Sequence, residues 1–219
     1  MENKSALLVG ASGLVGGKLL NFLLASPEYT KVLILVRKPL GVKHPKLEER
    51  VIEFEDLAQY KDCFKVQDVF CCLGTTIKKA KTQEAFKRVD MDYPLEIAKI
   101  TSEMGAKKFL VVSSMGANPK STIFYSRMKG LLEQKLTEVG IGSLHIFRPS
   151  LLLGDRKEFR FGEKVSGFLT IGLSFIFVGS LKKYKPIKAK AVALAMYKAA
   201  QRNEEGIHTY LSNEITEMS

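Results

Sequence analysis

The strongest constraint in this sequence is a glycine-rich turn between a short apolar run and a helical pattern. The turn reads Gly-Ala-Ser-Gly-Leu-Val-Gly over residues 10–16 and directly follows the apolar run Ala6–Val9. After it, leucines recur over residues 19–24 at the spacing of one helical face. A strand that passes into a helix through such a turn is typical of an α/β fold.

The same alternation continues along the chain. Four further apolar runs of β type and a weaker fifth lie at Val32–Val36, Val69–Leu73, Phe109–Val112, Leu144–Phe147 and, more weakly, Val51–Phe54. Helical spacing appears between several of them. Continuous apolar strands separated by amphipathic helices predict a doubly wound, mostly parallel sheet of about six strands with helices on both faces. Because no linker is evident, we expect residues 1–219 to form one domain.

Composition narrows the classes of function. The chain has 219 residues, of which 46% are hydrophobic and 26% charged, and these values exclude a disordered or fibrous protein. The net charge of +11 suits an anionic partner, either a phosphorylated cofactor, nucleic acid or an anionic membrane. Three cysteines, two of them adjacent, argue against a disulfide framework and predict a cytoplasmic location. The histidines and cysteines lack the spacing of metal ligands, so no metal is expected.

The three glycines of the turn have separate physical roles if the turn binds a dinucleotide. Gly10 permits the tight turn, Gly13 lets the backbone approach a pyrophosphate, and Gly16 lets the helix pack close to the sheet. The pyrophosphate then accepts hydrogen bonds from free N–H groups at the helix N-terminus. A purely structural turn is the alternative, but the order of strand, turn and helix favours the nucleotide site.

The end of the second strand predicts which dinucleotide is bound. Proteins that bind NAD carry an acid there, whereas those that bind NADP place an arginine nearby. Here Arg37 and Lys38 follow the strand and no acid does, so Arg37 would contact a 2′-phosphate and Lys38 would add a charge. Two solvated basic residues remain the alternative.

Leu73 and Gly74 end the fourth strand, where ligands of such sheets bind, and are further candidate contacts.

Residues that follow the fifth strand suit hydride-transfer chemistry. Tyr125 and Lys129 are four residues apart and share one helix face. An ammonium group lowers the pKa of a neighbouring tyrosine from near 10 and can also hold the nicotinamide ribose. Ser113 or Ser114 would hydrogen-bond the substrate oxygen, and the cofactor itself would carry the hydride. Taken alone, the Tyr–Lys spacing also occurs by chance on surface helices.

These residues together resemble the short-chain dehydrogenase/reductase superfamily, and longer stretches resemble its atypical, Tat-interacting-protein-like reductases. The stretches are Phe70–Thr76, Lys79-Ala80, Arg88–Tyr93, Ser113–Ala117 and Phe147–Leu153 with Asp155-Arg156. The resemblance implies an NADP(H)-binding Rossmann domain in which Tyr125 gives or takes the proton. It also implies cofactor contacts at Ser12, Gly13, Leu14, Val15, Arg37, Lys38, Leu73, Gly74, Tyr125, Lys129, Leu152 and Arg160. Leu14 and Val15 stand where the better-known member has Glu-Thr, so contacts there are expected from the backbone.

One segment departs from the alternation. Residues 165–181 carry no charge, and five lysines follow within residues 182–190. The run is shorter than the roughly 20 residues that span a membrane. We therefore expect residues 155–190 to be a substrate-side or lid insertion. Attachment to an anionic membrane surface is the alternative.

The sequence thus predicts an NADP(H)-dependent oxidoreductase that acts on a carbonyl or alcohol substrate. The apolar run at 165–181 predicts that this substrate is lipophilic. The alternative is an NADP(H)-binding redox sensor or regulatory module without turnover, which could sit on a membrane surface. No nucleic-acid partner is expected, because the chain has neither a recognised motif nor an aromatic stacking platform. The sequence leaves the oligomeric state open.

Overall fold

The computed structural model describes residues 3–154 and 184–219. The strands are β1 (Lys4–Val9), β2 (Tyr29–Val36), β3 (Leu47–Val51), β4 (Asp68–Cys71), β5 (Lys108–Val112), β6 (Ser143–Arg148), β7 (Leu152–Leu153), β8 (Ile187–Lys188) and β9 (Gly206–Leu211). The α-helices are α1 (Leu14–Ala25), α2 (Ile77–Ala80), α3 (Gln83–Lys87), α4 (Tyr93–Glu103), α5 (Phe124–Thr137), α6 (Ala189–Gln201) and α7 (Ser212–Met218). A 3-10 stretch covers Phe54–Phe64, and a π-helical turn covers Arg88–Asp92 between α3 and α4.

The main sheet has seven strands in the order β3-β2-β1-β4-β5-β6-β9, and every neighbouring pair is parallel. A separate small sheet pairs β7 with β8. The order reverses between β1 and β4, as in doubly wound sheets that open a crevice at the carboxyl ends of those strands. The predicted α/β class with helices on both faces is therefore confirmed.

Alternate residues of the central strands belong to two separate cores. Ala6 and Leu8 of β1 pack with α1, α6 and α7 on one face of the sheet. Leu7 and Val9 pack with α4, α5 and the 3-10 stretch on the other face. Because successive side chains of a strand point to opposite faces, a strand buried on both sides must be apolar throughout.

The two edge strands differ from the sequence prediction. A weak strand is predicted at Val51–Phe54, whereas β3 covers Leu47–Val51 and Phe54 begins the 3-10 stretch. At the opposite edge, β9 was not predicted. An edge strand faces solvent along one side, so its apolar signal is weak. In β3 the polar residue Glu48 instead pairs with Lys31 of β2, at 2.7 Å.

A buried polar network lies at the amino ends of the central strands. The Asp68 carboxylate accepts a hydrogen bond from the Tyr29 hydroxyl at 2.5 Å and lies 3.3 Å from the Lys4 ammonium. Burial, and then the charge of Asp68, raise the pKa of Tyr29 far above its usual value. The ammonium groups of Lys4 and Lys108 both donate to the Ala200 carbonyl at the end of α6. The network thus satisfies carbonyl groups that a helix C-terminus leaves unpaired.

None of the helices within residues 3–154 and 184–219 is both long and apolar enough to cross a membrane. The apolar run at 165–181, on which the membrane-surface alternative rests, lies outside these ranges.

Candidate nucleotide and catalytic site

The glycine turn joins β1 to α1 with almost no space for side chains. Gly10 has φ +89°, and a Cβ atom there would lie 2.6 Å from the carbonyl carbon of Cys72, just after β4. The Gly13 N–H donates to the Gly10 carbonyl at 2.9 Å, and Gly13 caps α1 without a side-chain hydrogen bond. The first turn of α1 carries no acidic residue. The positive end of the helix is therefore directed at this turn without a carboxylate to offset it.

A cleft of about 210 Å³ opens at the carboxyl ends of β1, β2 and β4, where the strand order reverses. The predicted contact residues that line it are Gly10, Ser12, Gly13, Arg37, Leu73 and Gly74. Lys79 of α2 adds a second cationic side chain to the wall. Among the described residues that line the cleft, none carries a carboxylate.

Other predicted contacts lie away from the wall of this cleft. They are Leu14, Val15, Gly16, Lys38, Tyr125, Lys129 and Leu152. Val15 points into the core, and Leu14 packs against Gly154, where an added Cβ would lie 2.6 Å from the leucine Cδ1. Arg160 lies outside the described residues, as does most of the predicted insertion at 155–190.

Sequence reasoning missed two aromatic residues of the cleft. The rings of Phe54 and Tyr93 have centroids 5.4 Å apart, and both line the wall. The Tyr93 hydroxyl donates to a Glu55 carboxylate oxygen at 2.5 Å. Burial, and then this hydrogen bond, raise the pKa of Tyr93 to about 12. The available signal was the position of Phe54 at the end of the predicted weak strand Val51–Phe54, since strand ends converge on the crevice.

Tyr125 and Lys129 lie one turn apart on α5. The half-buried Tyr125 ring packs against Phe86 of α3, with centroids 5.6 Å apart. The Lys129 ammonium is almost fully buried and lies 2.8 Å from Oδ1 of the equally buried Asp90. Asp90 belongs to the π-helical turn, and its other oxygen accepts the backbone N–H of Thr75 at 2.7 Å. Asp90 lies in the Arg88–Tyr93 stretch that carries the family resemblance, but no role was predicted for it.

The structure separates the two serines that the sequence could not distinguish. The Ser113 hydroxyl donates to the buried Glu133 carboxylate, one turn beyond Lys129 on α5. Arg148 Nε donates to both oxygens of that carboxylate, at 3.1 Å and 3.0 Å. The Ser114 hydroxyl is buried, and no group in the described part of the chain hydrogen-bonds to it. Among the described residues, the Ser113 proton has an acceptor and the Ser114 proton has none, so Ser114 can donate to an added ligand.

Comparison with known proteins gives family and fold. The HIM1 family model matches residues 37–170. Protein HTATIP2 of Rattus norvegicus is 40% identical over 167 residues, which cover 74% of this chain and 69% of that protein. Protein FMP52, mitochondrial, of Candida albicans is 34% identical over 159 residues, covering 70% and 69%. The Bordetella bronchiseptica enzyme WbmH, solved with NAD+, has a TM-score of 0.70 at 16% identity and covers 98% and 78%, which shows a shared fold.

These names correct one expectation. The cysteines predict a cytoplasmic location, and that prediction is wrong, because fungal relatives carry a name that places them in mitochondria. Free cysteines persist wherever thiols are kept reduced. The three free cysteines of this chain therefore do not identify one compartment.

Proposed function

This chain belongs to the HIM1 family and to the Tat-interacting-protein-like, atypical short-chain dehydrogenase/reductases. We propose that it is an NADP(H)-dependent oxidoreductase. The observation that carries the proposal is the cleft at the ends of β1 and β4, with the uncapped start of α1 on one side. A pyrophosphate fits there because backbone N–H groups and a helix N-terminus both favour an anion. The NAD+ in the WbmH complex supports a dinucleotide of this class.

The charges of the cleft favour NADP(H) over NAD(H). Arg37 follows β2, where the adenosine ribose lies in folds of this type, and Lys79 adds a second cation from α2. A guanidinium group can bind a 2′-phosphate through two parallel hydrogen bonds. The described lining lacks the carboxylate that would hold a free 2′-hydroxyl.

We propose that Ser114, just after β5, and Tyr125 and Lys129 of α5 carry the chemistry. The bound cofactor would supply or accept the hydride. Tyr125 would give a proton to the carbonyl oxygen in the reductive direction, and Lys129, one turn away, would hold the ribose and favour the phenolate. Ser114 is the better candidate for orienting the substrate oxygen, because the Ser113 proton is already donated to Glu133.

The substrate is proposed to be a lipophilic carbonyl or alcohol, from the apolar composition of residues 165–181. We propose neither a nucleic-acid partner nor a metal. We propose a mitochondrial location, because fungal relatives are named as mitochondrial proteins.

The first experiment is a fluorescence titration with NADPH and NADH. We expect tight binding of NADPH and weaker binding of NADH. Arg37→Ala should weaken NADPH binding by about tenfold or more, since it removes hydrogen bonds to a charged group, and should leave NADH binding nearly unchanged. Arg50→Ala on β3 loses the same charge away from the cleft and is the control. Equal affinities would contradict the NADP preference, and no binding of either nucleotide would overturn the site.

A regulatory module without turnover is the second candidate, and one observation favours it. The Lys129 ammonium is already paired with Asp90, so its positive charge acts less strongly on Tyr125 than that of an unpaired lysine would. Such a protein would bind NADP(H) and report its redox state to a partner or to a membrane surface. Tyr125→Phe separates the two candidates.

A further inference from the structure

We infer that Glu133 is a positioning residue that fixes Ser114, the proposed donor to the substrate oxygen, against helix α5. The inference rests on the proposed function, because it concerns how the same reacting groups are aligned. Tyr125, Lys129 and Glu133 follow one another at intervals of four residues, so they share one face of α5. The Glu133 carboxylate accepts hydrogen bonds from the residue just after β5 and from the last residue of β6.

The Glu133 carboxylate is buried, and both of its oxygens have partners. Its side chain is 7% exposed, whereas that of its ion-pair partner Arg148 is 30% exposed. The guanidinium group donates to both oxygens, and the Ser113 hydroxyl donates to one of them. Hydrogen bonds to an ionised group are stronger than those between neutral groups. Glu133 therefore joins α5 firmly to the ends of β5 and β6.

Backbone hydrogen bonds to the end of β6 hold both chain neighbours of Ser114. The Ser113 N–H donates to the Phe147 carbonyl at 2.7 Å. The Met115 N–H donates to the Pro149 carbonyl at 3.0 Å. These two carbonyl groups flank the arginine that binds the carboxylate on α5. The strand end that positions Ser114 is thus the one that the ion pair fixes to the helix.

The segment after Ser114 is attached to α5 a second time. The Asn118 N–H donates to the Ser126 carbonyl at 3.0 Å. Gly130 lies so close to this segment that an added Cβ would be 2.2 Å from the Asn118 carbonyl carbon. The Ser114 hydroxyl is buried between these attachments, and no group in the described part of the chain hydrogen-bonds to it. The fold therefore holds this hydroxyl at a fixed position relative to Tyr125.

The neighbouring ion pair on α5 leaves the task to Glu133. The Lys129 ammonium lies 2.8 Å from Asp90, so Arg148 is the cation that balances Glu133. Loss of the Glu133 charge would release the end of β6 from α5 and shift Ser114 with it. A misplacement of about 1 Å in a reacting group can lower a rate by about 100-fold.

The test compares wild type, Glu133→Gln, Ser114→Ala and the double variant, with NADPH and phenanthrenequinone as a lipophilic carbonyl probe. We expect Glu133→Gln to lower kcat by about tenfold to 100-fold. Its NADPH affinity should stay within about twofold of the wild type, since Glu133 does not line the cleft. The double variant should be no slower than Ser114→Ala alone, because residues that act through one another are not additive. Losses that multiply would overturn the inference.

Glu138→Gln is the matched control, because it makes the same substitution at the exposed end of the same helix. Its kcat should stay within about twofold of the wild type. Hydrogen exchange measured without nucleotide should be faster at residues 113–118 in Glu133→Gln and unchanged in Glu138→Gln. Equal exchange in the two variants would show that Glu133 does not anchor this segment.

Glu133→Leu combined with Arg148→Met guards against a variant that fails to fold, because it leaves no charge buried without a partner. Its kcat should be as low as that of Glu133→Gln. A merely structural role would lower the melting temperature of these variants and leave their kcat equal to that of the wild type, and that result would also overturn the inference. A wild-type protein that binds no NADPH or does not reduce the probe would contradict the proposed function, whereas an active wild type with multiplying losses contradicts the inference alone.

Discussion

Gly16 lies directly against the carbonyl group of Gly10, so that a Cβ atom at Gly16 would be 2.2 Å from the Gly10 oxygen. No side chain is tolerated at that separation without a backbone shift. The neighbouring Gly17 is different, because its added Cβ would lie 3.4 Å from the Ala11 oxygen, an ordinary contact. Two adjacent glycines of α1 thus have opposite requirements.

This difference predicts opposite effects of alanine at the two positions. Gly16→Ala should lower the free energy of unfolding by about 1–3 kcal/mol, since it forces apart closely packed backbone. Gly17→Ala should be neutral or stabilising by up to about 1 kcal/mol, because alanine has the higher helix propensity. Chemical denaturation of both variants measures this. Equal stabilities would show that α1 does not pack against the turn as described.

The two serines after β5 should also respond differently. Ser113→Ala removes a donor to the buried Glu133 carboxylate, so it should cost about 1–3 kcal/mol of stability. Ser114→Ala removes a buried hydroxyl that has no partner within the described residues, so stability should hold or rise. Turnover of a carbonyl substrate should instead fall about 100-fold in Ser114→Ala. The opposite ranking in turnover would assign the substrate contact to Ser113.

The parts of the fold that the sequence predicts are those with continuous apolar signals. β1, β2, β4, β5 and β6 are central and buried on both faces, so each reads as an apolar run. The edge strands β3 and β9 are half-exposed and mix polar with apolar residues, so they lack a continuous apolar run. The place of β9 in the sheet follows from pairing with β6, which is distant in sequence, whereas β3 pairs with β2, the strand before it.

The site also has one part that the sequence predicts and one part that it does not. The glycine turn is one contiguous motif whose spacing carries its own geometry, so Gly10 and Gly13 could be placed on the cleft from sequence. Asp90 could not, because its partners Thr75 and Lys129 come from a loop and a helix that only the tertiary fold brings to it. An acid next to a helix start reads in sequence as a surface residue.

Tyr125→Phe separates an enzyme from a binding module. The substitution removes only the phenolic O–H and keeps the ring that packs on Phe86. An enzyme should keep its NADPH affinity within about twofold and lose at least about 100-fold in turnover, because the proton donor is gone. Tyr60→Phe in the 3-10 stretch is the matched control. Undiminished turnover in Tyr125→Phe would remove Tyr125 from the chemistry.

His145 provides a prediction on pH and stability that does not depend on the site. Its ring is buried in β6, with Nε2 2.8 Å from the Ser143 hydroxyl and Nδ1 3.0 Å from the Tyr210 hydroxyl. Burial first, and then the nearby positive charges of His208, Lys108 and Arg202, lower the pKa of His145 to about 4. The native state therefore holds this imidazole neutral at pH values where the unfolded chain, with an ordinary histidine pKa near 6.5, takes up a proton.

The sign follows from proton linkage. Between about pH 6.5 and pH 4 the unfolded state binds more protons at this residue, so the free energy of unfolding rises with pH across that window. His145 contributes its full stability above pH 6.5 and loses on the order of 3 kcal/mol as the pH falls to about 4. Urea denaturation at pH 7, 6, 5 and 4.5 should show a shallower pH dependence for His145→Gln than for the wild type. His44→Gln, in the loop before β3, should keep the wild-type slope, and parallel curves for His145→Gln and wild type would contradict the buried neutral imidazole.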